Sequence, residues 1–330
     1  MITGESKQSV RTIRVAAVQM RAEPGQVRDN LARAAALIDE AASKGARLIA
    51  LPEGAASGYA MKRSMWDVAE PANGPTVQWL TGLSRKLGVY LGIGLVEADG
   101  EDFYNSYVLA GPDGSVAGLV RKRRTEFNIF REGNTSRVID TPIGRIGLGI
   151  CADNHYTDMP TLMHEESVDI MLMPHAWPVP LRTSKLVKDE DVREARELAK
   201  GYAQLFVSLL GVPAIFVNQV GPISRGWEGV WGRLLDPEVY GYAGSSTIAD
   251  SDGQVKAQMG QEEGVVVADV MLDPSRKMKV RPASYDGWLH PGAPLMRKVV
   301  LPLGILEAKI EYALSGERKL RARQVTSPDR

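Results

Sequence analysis

The stretch TIRVAAVQMRAEPGQVRDNLARAAALIDEAASKGARLIALPE, residues 12–53, decides the fold. Its first part, residues 12–20, is a short β-branched and apolar run, which reads as a buried strand. After the turn around Pro24 and Gly25, residues 27–43 place Val27, Leu31, Ala34, Ala35, Ile38 and Ala42 at helical spacing. Gly45 stands where a helix C-cap belongs, and residues 46–53 form a second apolar strand ending at Glu53. Strand, helix and strand in so short a span make a βαβ unit, so part of the sheet is parallel.

The same cycle continues outward. Residues 75–87 read as a helix and 89–98 as a strand with interspersed glycines, and residues 104–122 are two strands around Pro112-Asp113-Gly114. Residues 141–151 run into a strand that ends at Cys151, followed by a helix over 157–167, a strand over 168–177 and one long helix over 189–210. A strand at 214–221, a hairpin at 245–259 around Asp252-Gly253 and a strand at 264–272 complete the pattern. The two Asp-Gly hairpins fall at comparable places in two halves, with no Pro-, Gly- or Ser-rich linker between them. That pattern predicts a pseudo-symmetric pair of sheets with helices outside, in one domain over residues 12–273. Residues 1–11 read as a flexible tail. Residues 274–330 read as an extension rich in Pro, Arg and Lys with a short helix at 304–315, either solvated or packed on a neighbouring subunit.

Composition narrows the function. The 330 residues carry 40 basic and 40 acidic side chains, and this balance argues against a nucleic-acid partner. A single cysteine excludes an internal disulfide and thiolate metal cages, and the four histidines lack metal-ligand spacing, so no metal or cofactor is expected. No window approaches the ~20 apolar residues of a membrane span, and the polar N-terminus lacks a secretory signal, so a cytoplasmic location is expected.

Chemistry concentrates at strand ends, where open α/β sheets bind ligands. Cys151 ends one apolar run and is followed at once by Ala152, Asp153, Asn154, His155 and Tyr156. A thiol at a strand-to-helix turn lies near backbone N–H groups that lower its pKa and bind an oxyanion, although cysteine is also a common buried apolar residue. Glu53 and Lys122 end two other strands, each open to the alternative reading of a solvated charge.

These residues sit in pieces that resemble the nitrilase superfamily of carbon–nitrogen hydrolases. The pieces are RVAAVQM (14–20), LPEGAASGY (51–59), YNSYVLAGPDGSVAGLVRK (104–122), EFNIFREG (126–133), GRIGLGICAD (144–153) and GSSTIADSDGQVKA (244–257). The resemblance covers residues 12–272. It implies a four-layer α-β-β-α sandwich and a Glu-Lys-Cys triad made of Glu53, Lys122 and Cys151. In that triad the cysteine attacks an amide carbon, the glutamate moves protons, and the lysine and the Ala152 N–H face the oxyanion. It implies a second glutamate at Glu126, although some relatives carry the acid where this chain has Asn128. Family members commonly form dimers or larger homo-oligomers, and the partner implied is a small-molecule amide.

The chain also departs from the family. True nitrilases usually carry Trp-Glu after the nucleophile, and this chain has Ala152-Asp153, which favours an amide over a nitrile substrate. An N-carbamoyl hydrolase, using the same residues, is the nearest alternative, and a non-catalytic binding module is a remote one. The usual Lys-x-His-Leu is replaced by Lys122-Arg123-Arg124-Thr125, and Arg124 would meet a substrate carboxylate if it turned inward. Tyr59, Asn154, His155, Tyr156, His175 and Trp177 are the candidate pocket residues. The stretch from 220 to 242 reads as a long loop near the pocket mouth.

Overall fold

The apolar run near the N-terminus forms β1 (Arg11–Gln19), and its alternation assigns two faces. Val15 and Ala17 point into one buried cluster, while Ala16 and Val18 point into another. The chain continues through α1 (Val27–Ser43), β2 (Leu48–Ala50), α2 (Pro75–Leu87), β3 (Tyr90–Asp99), β4 (Asp102–Ala110) and β5 (Val116–Arg121). The computed structural model describes residues 9–125, 129–225, 227–292, 298 and 301–327.

The second half begins with β6 (Val138–Thr141), β7 (Gly144–Leu148), α3 (Asp158–Glu165), β8 (Ile170–His175) and β9 (Pro178–Pro180). It continues with α4 (Asp189–Lys200), α5 (Tyr202–Leu210), β10 (Ala214–Asn218), α6 (Gly229–Leu234) and β11 (Tyr240–Tyr242). The hairpin strands β12 (Thr247–Ala249) and β13 (Val255–Gln258), then β14 (Gly264–Leu272), precede α7 (Leu301–Leu314) and α8 (Gly316–Thr326).

Among the described residues these strands form two six-stranded sheets, ordered β14-β1-β2-β3-β4-β5 and β13-β12-β10-β8-β7-β6, and one two-stranded pair, β11-β9. In the first sheet β1, β2 and β3 run parallel; in the second β7, β8 and β10 do. The Asp-Gly hairpins are β4-β5 and β12-β13. Between the sheets lie Val15, Leu48, Leu109, Leu148, Leu172 and Ile215. Outside the first sheet Ile49 and Leu91 meet Ala34, Ile38 and Leu80 of α1 and α2. Outside the second, Met171 and Phe216 meet Met163, Phe206 and Leu210 of α3 and α5. The result is the expected α-β-β-α sandwich. Among the described residues no helix is long and apolar enough to cross a membrane.

Three local expectations are corrected. The strand read over 141–151 is two, because the chain turns between Thr141 and Gly144, and β7 stops at Leu148. The helix read over 189–210 breaks at Gly201, where a polar exposed helix gives way to an apolar buried one. The loop read over 220–242 holds α6 and β11, the latter paired with β9.

Described residues of the C-terminal extension pack on their own chain. Arg318 bonds the Asp102 carboxylate at the start of β4, and the Tyr312 hydroxyl accepts from the Phe103 N–H at 3.0 Å.

Candidate active site

Glu53 lies just past β2, where the backbone must cross over β3. Gly94 allows the crossing, since a Cβ there would sit 2.4 Å from the Gly54 nitrogen and 2.9 Å from the Glu53 Cα. Asn30 of α1 holds the loop beyond, donating to the carbonyls of Glu23 (2.8 Å) and Ala56 (2.9 Å). The Glu53 carboxylate is fully buried and surrounded by donors. Its Oε1 accepts from Lys122 Nζ at 2.8 Å and Asn105 Nδ2 at 2.7 Å, and its Oε2 accepts from the Ala176 N–H at 2.9 Å. Its carbonyl accepts from Gln219 Nε2 at 2.7 Å. Lys122 follows the last residue of β5, is equally buried, and stands 5.7 Å from the centre of the Tyr59 ring.

Cys151 is reached from β7 through Gly149 and Ile150 and has φ +45°. A left-handed non-glycine residue stores on the order of 1–3 kcal/mol of strain, and such residues cluster at functional sites. The residues Cys151–His155 then form a tight 3₁₀ turn. The thiol residue is 5% exposed, and Ala152 after it is also buried. Asp153 holds this turn. Its Oδ1 accepts from the Arg124 N–H at 2.8 Å, and its Oδ2 accepts from Arg137 Nη1 at 2.6 Å and the Ile150 N–H at 3.3 Å. One carboxylate thereby ties the backbone just after Lys122 to the turn carrying Cys151. The Arg124 side chain does not turn inward. It pairs with Asp158 at 2.6 Å and stacks 3.7 Å from the Tyr156 ring centre.

Both Glu53 and Cys151 bear on one phenol: burial first, then these two groups, push the Tyr242 pKa well up. The Tyr242 hydroxyl donates to the Tyr59 carbonyl at 2.7 Å, which fixes the remaining side of the site. Glu126 and Asn128 lie outside the described residues. Glu132 is half-exposed and pairs with Lys309 at 2.9 Å.

The candidate pocket residues Asn154, His155, Tyr156, His175 and Trp177 gather around one aromatic cluster. Trp177 meets the His155 ring edge-on at 4.4 Å, and His175 packs 4.6 Å from Phe216. Asn154 is fully buried; its Nδ2 donates to the Gly149 carbonyl at 2.7 Å. Sequence reading missed several members: Asn105, Gln219, Tyr202, and Trp288 and His290 from the C-terminal extension. Asn105 and Gln219 carried a signal, each as an amide within a stretch read as a strand.

Burial, reinforced by Lys122 and opposed by the Met173 carbonyl, pushes the His175 pKa down to about 3. The unfolded chain therefore binds a proton here below about pH 6.5 that the folded chain refuses, and stability falls as pH falls. Urea unfolding is expected to show a loss of about 2 kcal/mol from this group between pH 7 and pH 5. His175→Gln should flatten that slope; an unchanged slope contradicts the assignment.

The sequence model of the carbon–nitrogen hydrolase family matches residues 14–279. The chain belongs to that family. This carbon–nitrogen hydrolase is 30% identical over 272 residues to omega-amidase NIT2-B of Xenopus laevis, covering 74% of this chain and 83% of that one. It is also 30% identical over 291 residues to omega-amidase NIT2 of Bos taurus, covering 79% and 89%. Its fold matches a carbon–nitrogen hydrolase from Helicobacter pylori G27 with TM-score 0.67 and 22% identity, over 81% of this chain and 91% of that one.

Proposed function

We propose that the protein hydrolyses the carbon–nitrogen bond of a small-molecule amide through a thioester on Cys151. The observation that carries the reading is the buried Glu53 carboxylate, whose two oxygens accept from Lys122, Asn105 and the Ala176 N–H. These three donors hold both carboxylate oxygens in fixed directions. Glu53 takes the thiol proton, and the sulfur attacks the amide carbon. Negative charge then builds on the carbonyl oxygen, stabilised by Lys122 and the Ala152 N–H. Collapse passes the proton from Glu53 to the leaving nitrogen, releasing ammonia or an amine. Glu53 next takes a proton from water, whose oxygen attacks the thioester carbon; collapse breaks the C–S bond, the Cys151 sulfur takes the proton back from Glu53, and the carboxylic acid is released.

One further observation supports an amide. The relatives reported above are named omega-amidases. Residence in the cytoplasm and assembly into a homo-oligomer belong to the same proposal. Exposed Leu303, Leu306, Ile310 and Leu314 form a stripe along α7 that suits a second copy.

The test is a panel of matched amides, N-carbamoyl compounds and nitriles with product analysis. Ammonia or amine and acid from the amide, at a kcat/KM at least about tenfold above the others, is the expected result. Carbon dioxide from the carbamoyl compound as the dominant reaction, or turnover of nitriles alone, contradicts it.

A further inference from the structure

The C-terminal extension supplies a hairpin that lies beyond residue 279, where the family match ends. Tyr285 and Trp288 exchange backbone hydrogen bonds at 2.9 and 3.1 Å around Asp286 and Gly287, both with positive φ. Two left-handed residues in a two-residue loop are what a type I′ turn requires, and Asp-Gly is a favoured pair for it. The hairpin docks on the turn that carries Cys151. The Thr157 N–H donates to the Gly287 carbonyl at 2.9 Å, and the Leu289 N–H donates to the His155 carbonyl at 2.9 Å. Trp288 lies 4.7 Å from the Tyr156 ring, and His290 meets the His155 ring edge-on at 5.1 Å.

The polar contacts converge on one atom. His155 Nδ1 stands 2.7 Å from the Tyr202 hydroxyl and 3.1 Å from His290 Nε2, and the same hydroxyl is 3.1 Å from the Asn154 carbonyl. The following proton arrangement gives each contact a hydrogen. Tyr202 donates to Asn154 O, and the His155 Nδ1–H is shared between the Tyr202 oxygen and His290 Nε2. The backbone carbonyls of Asn154 and His155 are thus both engaged, and the His155 ring is held from the α5 side and from the C-terminal side. His155 closes the five-residue turn that opens with Cys151.

We propose that His290 is a positioning residue for Cys151, acting through the His155 ring and the turn. The inference rests on the nucleophile reading above. An accepting nitrogen at His290 fixes His155; without it the ring and the 151–155 turn gain freedom, and misplacing a nucleophile by a fraction of an ångström slows attack without changing what is bound.

The experiment compares His290→Ala and His290→Gln with the wild type in kcat, KM, melting temperature and the rate of Cys151 alkylation by iodoacetamide. Gln places an amide oxygen at about the reach of Nε2 and restores the acceptor. His290→Ala is expected to lower kcat and the alkylation rate by about tenfold each, with KM within about twofold, and His290→Gln to recover most of both. Wild-type kcat and alkylation in His290→Ala overturn the inference. So does equal impairment of both variants, or a melting shift with kcat per folded molecule unchanged. Cys151→Ala run alongside separates the failures. If that variant is inactive while His290→Ala is normal, the positioning role alone fails. Activity in Cys151→Ala removes the nucleophile reading and this inference with it.

Discussion

Cys151→Ala is expected to reduce amide turnover by about 10⁴-fold or more while leaving the melting temperature within a few degrees of the wild type. The size of the effect follows from covalency: without sulfur no thioester forms, and the donors around the site are left with nothing to activate. The small effect on stability follows from local geometry. Cys151 sits at φ +45°, so its conformation is one the fold imposes on the residue, and alanine tolerates it comparably. Removing a sulfur from a 5% exposed position leaves a void of about one atom, which costs on the order of 1 kcal/mol. Steady-state kinetics and a thermal melt on the same preparation check both halves. Turnover within tenfold of the wild type would exclude the nucleophile role.

Glu53→Gln should be nearly as damaging, with kcat falling about 10³-fold or more. It is the harsher test of the geometry. A carboxylate can accept from Lys122 and Asn105 at one oxygen and from the Ala176 N–H at the other. A glutamine amide has one accepting oxygen and one donating nitrogen, so whichever way it turns, a donor faces a donor. It also removes the carboxylate charge that pairs with the Lys122 ammonium at 2.8 Å inside the protein; breaking a buried pair from one side costs about 3–5 kcal/mol. Loss of activity together with a clearly lowered urea midpoint is therefore expected. A variant of unchanged stability would show that Glu53 is not the hub these contacts describe.

The elements legible in sequence were those whose signals are local. The helix at Pro75–Leu87 has proline in its first turn and Gly88 in the left-handed region after its end, so both boundaries are marked by residue type. The βαβ start was legible because alternation in β1 and helical spacing in α1 each report a buried face. Glu53, Lys122 and Cys151 were legible as strand-end residues, and the family resemblance joined them. What stayed hidden depends on contacts distant in sequence. Ala176 contributes its backbone N–H, which no side chain advertises. Asp153 looked like a departure from a motif, yet its carboxylate bonds Arg124, Arg137 and Ile150 across two strand ends. The break at Gly201 was hidden because one glycine within a helical pattern is often tolerated. Trp288 and His290 lay in an extension whose Pro, Arg and Lys content suggested a tail. Their partners, Tyr156 and His155, are more than 100 residues earlier, and only the folded chain brings them together.

Amide hydrolysis is expected to pass through a thioester on the one thiol in the chain. Rapid acid quench during turnover, followed by intact-mass spectrometry and peptide mapping, reads it directly. A transient adduct of the acyl group's mass is expected on the peptide containing Cys151, formed and lost at rates compatible with kcat. Turnover on a slowly deacylating amide with no such adduct, or with the acyl group on another residue, would contradict it.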